Sequence, residues 1–266
     1  MAFDFHTDAE VYFKQQWENS ANYVLPFIEQ HHVIKPGIQV LEIGCGEGGV
    51  LKAFSERGCI VTGVDLNKSK IEEGCQRFSK EIAEGRANFI IKNIYDVDFE
   101  KDYKNHFDIV ILKDAIEHIH DQEKIIAYMK LLLKPGAMIF FGFPPWYMPF
   151  GGHQQICRNK FLSLLPYYHL LPTFLYKGVL KLFGEPKGVI DELIEIKETG
   201  ISVKRFEKIV KKTGYKIVQR RLYLINPIYL YKFKLKPRVQ TPVIAAVPYV
   251  RDVLSTCAYY LIEAVH

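Results

Sequence analysis

The sequence predicts an α/β fold, a Rossmann-like doubly wound sheet with helices on both faces. Short apolar runs alternate with segments of helical periodicity along residues 38–143, which is the pattern of a parallel sheet covered by helices. A glycine-rich turn follows the first apolar run, as expected where a strand leads into a helix beside a ligand. The alternation stops at Pro144 and resumes near residue 202, so we predict a mostly helical insertion after the fifth strand.

The individual elements follow from local pattern, in chain order. Residues 8–32 carry apolar side chains at helical spacing, and the apolar run 38–43 ends in glycines, which is typical of a buried parallel strand. The next helix stops at Gly58, and the turn Lys134-Pro135-Gly136 introduces the fifth strand. The predicted strands cover residues 38–43, 59–65, 88–92, 107–112, 137–143, 215–224 and 254–264. The predicted helices cover residues 8–32, 47–57, 68–83, 121–132, 173–183, 188–197 and 202–213.

One domain over residues 1–266 is predicted, because no internal repeat or low-complexity tract divides the chain. Its parts are a core at 35–143, an aromatic-rich insertion at 144–198, and a C-terminal part of the sheet at 199–266 with a second excursion at 226–250. The insertion has a high apolar density for a surface excursion. Three interpretations stay open for it: a lid over a pocket, a small core of its own, or a homodimer interface.

Cysteine usage and hydropathy exclude several classes of protein. The five cysteines are odd in number and widely spaced, with no C-x-x-C pair, which argues against a disulfide framework and a thiolate metal site and fits a reducing cytoplasm. We predict no metal site. The N-terminal residues have no basic region followed by an apolar run, so no signal peptide is expected. The longest uncharged stretch, residues 135–157, is interrupted by prolines and cannot form a membrane-spanning helix.

Charge is distributed unevenly along the chain. Residues 1–150 carry 16 Lys and Arg against 22 Asp and Glu, whereas residues 151–266 carry 19 against 8. Twelve of the later bases fall between Lys204 and Arg238. The simpler interpretation is a solvated helix face, and the alternative is a surface that meets an anionic membrane, a phosphate-bearing molecule or nucleic acid. No recognised nucleic-acid-binding motif accompanies the bases, so nucleic acid is not the expected partner.

The sequence VLEIGCGEGGV at residues 40–50 is the strongest indication of chemistry. Glycines permit a sharp turn and close approach of a ligand to the backbone, and the helix that follows offers free N–H groups. Gly44, Gly46 and Gly49 match the dinucleotide pattern G-x-G-x-x-G, and Asp65 at the next strand end suits a ribose. Alone, that match predicts a nicotinamide-dependent oxidoreductase as readily as any other nucleotide-binding enzyme.

The same loop also matches E-x-G-x-G-x-G, starting at Glu42, and with it the chain resembles the class I S-adenosylmethionine-dependent methyltransferases. FDIVILKDAIEHI at 107–119 is similar to the family's fourth-strand segment, and LLLKPGAMIFF at 131–141 to its turn into the fifth strand. The ending Glu-His-Ile is typical of the type-11 group of small-molecule methyltransferases. The resemblance covers residues 35–143 in order and spacing, and 202–224 and 254–264 more loosely.

The resemblance implies a seven-stranded sheet whose last strand is antiparallel, with S-adenosylmethionine as cofactor. It also implies roles for individual positions: glycines along the methionine and ribose, Asp65 on the ribose, Leu66 against the adenine, and Lys113 beside the methionine part. Many family members carry Asp at the position of Asn93, yet the amide still offers an acceptor to the adenine. The predicted cofactor-binding residues are Glu42, Gly44, Cys45, Gly46, Gly48, Asp65, Leu66, Asn93, Ile94 and Lys113.

Two histidines are the candidate catalytic residues. His153 lies ten residues past the predicted end of the fifth strand, after a proline-stiffened approach and Gly151-Gly152. We expect it to contact the methyl acceptor and, as a weaker expectation, to act as a general base; the alternative is a structural hydrogen bond. His118 is the second candidate. The alternative for it is a core histidine that is hydrogen-bonded to a backbone carbonyl.

The function predicted is methyl transfer to a small, apolar or lipid-like acceptor, because aromatic and aliphatic residues dominate the insertion expected to roof the pocket. Two alternatives are retained. One is an NAD-dependent oxidoreductase, in which Glu42 and the Glu-His pair would have no role. The other is a non-catalytic methyltransferase-like protein that binds a partner through its basic, aromatic C-terminal half.

Overall fold

The computed structural model describes residues 9–265 and contains one eight-stranded sheet. Across the sheet the strands run in the order β3-β2-β1-β4-β5-β8-β6-β7. The strands are β1 Gln39–Ile43, β2 Ile60–Asp65, β3 Ala87–Ile91, β4 Phe107–Lys113, β5 Leu133–Phe143, β6 Tyr215–Ile225, β7 Arg238–Val239 and β8 Cys257–Ala264. The first five pair in parallel, and β8 is antiparallel to both β5 and β6. The predicted Rossmann-like fold with a reversed last strand is confirmed.

The strand count is eight rather than the predicted seven. The additional strand, β7, is only two residues long and pairs with β6 at Tyr223 and Ile225. It lies between prolines in a polar stretch, so no apolar run marks it in the sequence.

The seven predicted helices are present in the predicted order, two of them subdivided. Five further short helices in the described residues were not predicted: Val97–Tyr103, Lys160–Leu164, Tyr229–Phe233, Pro242–Ala246 and Val250–Val253. A short π-helical turn, Ser20–Val24, joins the first two helices, and the predicted helix 68–83 is divided at Phe78. The helices are α1 Ala9–Asn19, α2 Leu25–Glu29, α3 Gly49–Glu56, α4 Lys68–Arg77, α5 Ser79–Ala83, α6 Val97–Tyr103, α7 Gln122–Met129, α8 Lys160–Leu164, α9 Thr173–Leu182, α10 Lys187–Thr199, α11 Val203–Lys212, α12 Tyr229–Phe233, α13 Pro242–Ala246 and α14 Val250–Val253. Residues 1–8, where a signal peptide is not expected and the predicted first helix begins, and residue 266 lie outside the described part.

Strand β4 shows how the sheet divides the core into two layers. Val110 and Leu112 face one layer with α7 and α11, whereas Ile109 and Ile111 face the other with α1 to α4. All four side chains are fully buried, as expected for a central parallel strand covered on both faces. Strand β4 ends at Lys113, so the turn that follows lies at the carboxyl edge of the sheet.

The 144–198 insertion has a small apolar core of its own, as one of the three interpretations predicts. Residues from its loop and from α8, α9 and α10 pack together without joining either layer against the sheet: Cys157, Leu162, Tyr168, Tyr176, Leu180, Ile190 and Leu193. Among the described residues, no helix combines the length and apolar character needed to cross a bilayer. The division into the predicted parts of one domain stays a prediction.

Gly48 illustrates how the glycine loop is packed onto the sheet. Its backbone has φ +82°, and a Cβ there would lie 2.6 Å from the ring of Phe89 and 3.0 Å from that of Phe78. Gly85 has a similar φ of +70° but open space where a Cβ would stand. Substitution of Gly85 would cause backbone strain alone, whereas substitution of Gly48 would cause backbone strain and steric overlap.

We expect Gly48→Ala to lower the free energy of unfolding more than Gly85→Ala does. Left-handed backbone costs a non-glycine residue about 1–2 kcal/mol in both variants, and overpacking against Phe89 adds about 1–3 kcal/mol only at Gly48. Urea unfolding followed by circular dichroism measures both losses. Equal losses would show that Phe89 yields without cost and would contradict the packing described here.

Candidate functional site

Two cavities adjoin at the carboxyl edge of the sheet, where β1, β2 and β4 end. The smaller one, about 290 Å³, lies against the glycine loop, and the larger one, about 550 Å³, lies beneath the insertion. Tyr12, Gln16 and Asp114 line both cavities and so form a wall that the two cavities share. A position at strand carboxyl ends is where open α/β sheets bind ligands.

The glycine loop is held in place by Asp65. Its Oδ2 accepts a hydrogen bond of 2.8 Å from the backbone N–H of Gly46, and its Oδ1 accepts one of 2.8 Å from the N–H of Asn67. Gly46 has φ +52°, a conformation that L-residues adopt with strain. Each carboxylate oxygen keeps a second lone pair, so Asp65 can organise the loop and still accept hydrogen bonds from a ligand.

Six of the ten predicted cofactor residues line the smaller cavity. They are Glu42, Gly44, Cys45, Gly46, Asp65 and Lys113. The structure therefore brings together residues that are up to 71 positions apart in the printed sequence, from β1, β2 and β4.

The other four do not line this cavity. Gly48 packs against Phe89, and Ile94 is buried in the core. Leu66 is 71% exposed just beyond Asp65, and Asn93 is exposed with its Oδ1 accepting from the N–H of Tyr95. Leu66 and Asn93 are accessible to a ligand that extends out of the cavity, and their predicted contacts with an adenine stay predictions.

Lys113 is the buried cation of the site. Its Nζ donates to Gln16 Oε1 at 3.0 Å and forms an ion pair with Asp114. Burial alone would lower the pKa of Lys113, but the adjacent carboxylate raises it to about 12, so the ammonium stays charged. Because Gln16 belongs to α1, this contact fastens the N-terminal helix over the end of β4.

Glu42 supplies a second buried group below the loop. Its side chain is almost fully buried, and burial raises its pKa well above the ordinary range while Lys113 opposes the rise. A carboxyl in this position can support the loop by hydrogen bonding in either protonation state.

The two candidate catalytic histidines meet in the larger cavity. The rings of His118 and His153 are 5.0 Å apart and nearly perpendicular, although one follows β4 and the other lies in the insertion. His118 is exposed rather than a core residue. Within residues 9–265 the His153 side chain makes no hydrogen bond. By contrast, the neighbouring Gln154 donates to the carbonyls of Pro149 and Leu165 and so holds the insertion loop.

Residues of the second excursion form a wall of the larger cavity that the sequence did not indicate. Asn226, Tyr229 and Lys232, on and before α12, line it together with apolar residues of the insertion. The Nζ of Lys232 lies 5.7 Å from the ring centroid of Tyr12, and burial lowers the pKa of Lys232. The sequence indicated only that residues 226–250 form a proline-rich excursion, not that they line a cavity.

Comparison with known proteins agrees with this geometry. A family model described as a methyltransferase domain matches residues 17–150, about half of the chain. A ubiquinone biosynthesis O-methyltransferase of Coxiella burnetii is 32% identical over 137 residues, which are 48% of this chain and 56% of the relative. The chain thus spans about half the length of the curated relatives it matches.

Solved structures match over most of the chain at low identity. A geranyl diphosphate methyltransferase in complex with S-adenosylmethionine has a TM-score of 0.54 at 16% identity, covering 91% of this chain and 83% of that one. The cyclase SpnF has a TM-score of 0.54 at 12% identity, covering 91% and 80%. These likenesses concern the fold, and the family model covers the glycine loop and the motif after β4. The chain belongs to the methyltransferase-domain family.

Proposed function

We propose that this protein transfers a methyl group from S-adenosylmethionine to a small acceptor with an apolar part. The observation that carries the proposal is the shared wall of Tyr12, Gln16 and Asp114 between the two cavities. Methyl transfer requires a donor and an acceptor aligned at near-attack distance with water excluded. Two adjoining cavities, one against a nucleotide-type loop and one largely apolar, provide neighbouring places for such a donor and acceptor.

The residues around the smaller cavity fit the cofactor. Asp65 offers free lone pairs to two ribose hydroxyls, and the loop at Gly44 and Gly46 brings backbone close to the cavity without side chains. Lys113 lines the smaller cavity, and its ion-pair partner Asp114 lines both cavities. When bound, the cofactor supplies a methyl group already activated by a sulfonium. This chain then has to bind, orient and shield it.

Binding of S-adenosylmethionine, and not of NAD, is the first expected outcome. Asp65→Ala should weaken it by about 1.5–3 kcal/mol, roughly 10- to 150-fold in Kd, because hydrogen bonds to a charged group are lost. Isothermal calorimetry of both ligands measures this. Asp98→Ala in α6, where an exposed carboxylate lies outside both cavities, is the matched control and should bind normally. Tight NAD binding without S-adenosylmethionine binding would support the oxidoreductase alternative instead.

The acceptor proposed for the larger cavity is a small, lipid-like molecule with a polar reacting end. Met148, Phe150, Ile156 and Ile228 supply apolar lining, and His118, His153 and Lys232 supply polar groups on the same cavity. Such a combination suits a molecule with a hydroxyl at one end and an apolar remainder. The Coxiella burnetii relative, by its description, methylates oxygen in ubiquinone biosynthesis, which is consistent with an aromatic hydroxyl here.

His153 is proposed to contact the acceptor and not to be a strong base. Burial, together with the neighbouring His118, lowers the pKa of His153 to about 4. The imidazole is therefore neutral at pH 7 and can accept a hydrogen bond from a hydroxyl, but its affinity for a proton is low for general-base work.

We expect the His153 imidazole to titrate near pH 4. In the unfolded chain its pKa is about 6.5, so between pH 6.5 and 4 the unfolded state binds a proton that the folded state does not. The free energy of unfolding should fall as pH is lowered through this window, and His153→Gln should make that fall shallower. Imidazole NMR, assigned with the variant, measures the midpoint. A midpoint near 6.5 would contradict the burial of this ring.

A non-catalytic role is the remaining alternative, and the cyclase SpnF shows that this fold is also found under a name other than methyltransferase. A pocket kept for a protein partner would not need two adjoining cavities with an ordered donor loop. Incubation with labelled S-adenosylmethionine and a panel of phenols with apolar tails separates the interpretations, because only an enzyme releases S-adenosylhomocysteine in proportion to acceptor.

Peripheral contact with an anionic membrane is proposed through the insertion. Phe174 and Leu182 of α9 are 74% and 82% exposed, and Lys177 and Lys181 are exposed on the same helix. Apolar side chains beside lysines are the composition of an interfacial helix. By contrast, several bases in 204–238 are paired: Lys212 with Glu123, Lys216 with Glu263 and Arg220 with Glu207.

Vesicles rich in phosphatidylglycerol should therefore sediment the protein at low salt, and neutral vesicles should sediment much less. The double variant Phe174→Ser/Leu182→Ser should reduce binding several-fold because it removes exposed apolar area. Val97→Ser is the control, since Val97 is 82% exposed on α6 outside the insertion. Unchanged binding in the double variant would contradict the proposed face. A change from dimer to monomer by light scattering, without an effect on vesicles, would identify the face as a homodimer interface.

A further inference from the structure

Three potential metal ligands converge in the larger cavity. One donor atom each from Glu117, His118 and His153 lies within 4.8 Å of the others. Glu117 and His118 belong to the short turn Ile116–His118 after β4, and His153 comes from the insertion. His118, His153 and Glu117 all line the cavity that the acceptor would enter.

Glu117 is the group that lacks a partner. Its side chain is 3% exposed, and neither carboxylate oxygen accepts a hydrogen bond from another residue of the described part of the chain. A buried carboxylate without a partner is costly. A cation beside it would offset that cost.

The two imidazoles complete a chemically consistent donor set. Neither His118 nor His153 forms a side-chain hydrogen bond within residues 9–265, so a ring nitrogen of each is available to a metal ion, which binds imidazole in its neutral form. Ligand bonds of about 2.0–2.2 Å place donor atoms roughly 3–4.4 Å apart, so small side-chain rotations close the present spacing.

Charges around the cluster act in both directions. Asp114 adds a carboxylate to the same cavity, although Lys113 pairs with it, and Lys232 brings a positive charge that opposes a cation. The positive charge of Lys232 therefore limits the affinity expected for a cation here.

We propose that Glu117, His118 and His153 bind a divalent transition-metal ion whose remaining coordination positions face the larger cavity. Two imidazoles and one carboxylate suit Zn²⁺, Mn²⁺, Fe²⁺ or Co²⁺ better than Mg²⁺. An acceptor hydroxyl in an open position would release its proton to solvent water more readily, because the cation would stabilise the oxyanion. This role of the ion rests on the proposed function, whereas the binding of the ion does not. The site departs from the sequence-based expectation of no metal.

The test is metal binding in the absence of cofactor and acceptor. Tag-free protein, dialysed against chelator, is titrated with Zn²⁺, Mn²⁺ and Mg²⁺ by calorimetry, and Co²⁺ absorption reports an imidazole–carboxylate environment. We expect one Zn²⁺ or Mn²⁺ per chain, weaker Mg²⁺ binding, and at least a 10-fold loss of affinity in His153→Ala and in Glu117→Gln. His120→Ala is the control, since His120 is exposed and contacts Glu195 rather than the cluster.

Three outcomes would overturn the inference: no binding above that of a chelator-treated blank, equal affinity in Glu117→Gln and wild type, or loss of binding in His120→Ala alone. Circular dichroism of each variant confirms that it is folded. Calorimetry with S-adenosylmethionine on the same metal-free samples keeps the two proposals distinct. Cofactor binding without metal binding contradicts only this inference, and metal binding without cofactor binding contradicts only the methyltransferase proposal.

Discussion

The ammonium of Lys113 is buried at the carboxyl end of β4. The need to neutralise this charge determines how Asp114 and helix α1 are arranged around the site. A buried charge without partners costs several kcal/mol, and Asp114 and Gln16 supply the partners. Asp114 has φ +53°, a conformation that is uncommon outside glycine. Gln16 brings α1 across the strand ends, where it forms part of the wall that the two cavities share.

The two cavities that share this wall are lined mainly by different parts of the chain. The smaller cavity is lined by residues of α1, of the ends of β1, β2 and β4, and of the loop between β1 and α3. The larger cavity shares α1 and the turn after β4, but takes most of its other lining from the insertion and from α12 and the residues beside it. The insertion carries its own apolar core, so its residues can change without disturbing the sheet. A fold divided in this way can keep the glycine loop unchanged while the residues of the larger cavity vary.

Local pattern was sufficient to predict the strands of the central sheet, because each is a short apolar run bounded by turn residues. It also predicted the loop around Gly46 and Asp65, where turn chemistry and strand end coincide. It did not predict the approach of His153 to Glu117, or the place of Lys232. These contacts join segments that are distant in the sequence. Their positions depend on how the insertion and α12 pack on the sheet, which no short-range pattern encodes. The two-residue strand β7 escaped prediction because it buries nothing.

The orientation of the bound methyl donor tests the central claim most directly. A crystal structure with S-adenosylhomocysteine should show the ribose hydroxyls on Asp65 and the sulfur at the wall of Tyr12, Gln16 and Asp114, directed towards the larger cavity. That arrangement would place the departing methyl group where an acceptor can reach it. A ligand bound elsewhere, or a sulfur directed away from the cavity that contains His153, would contradict the account.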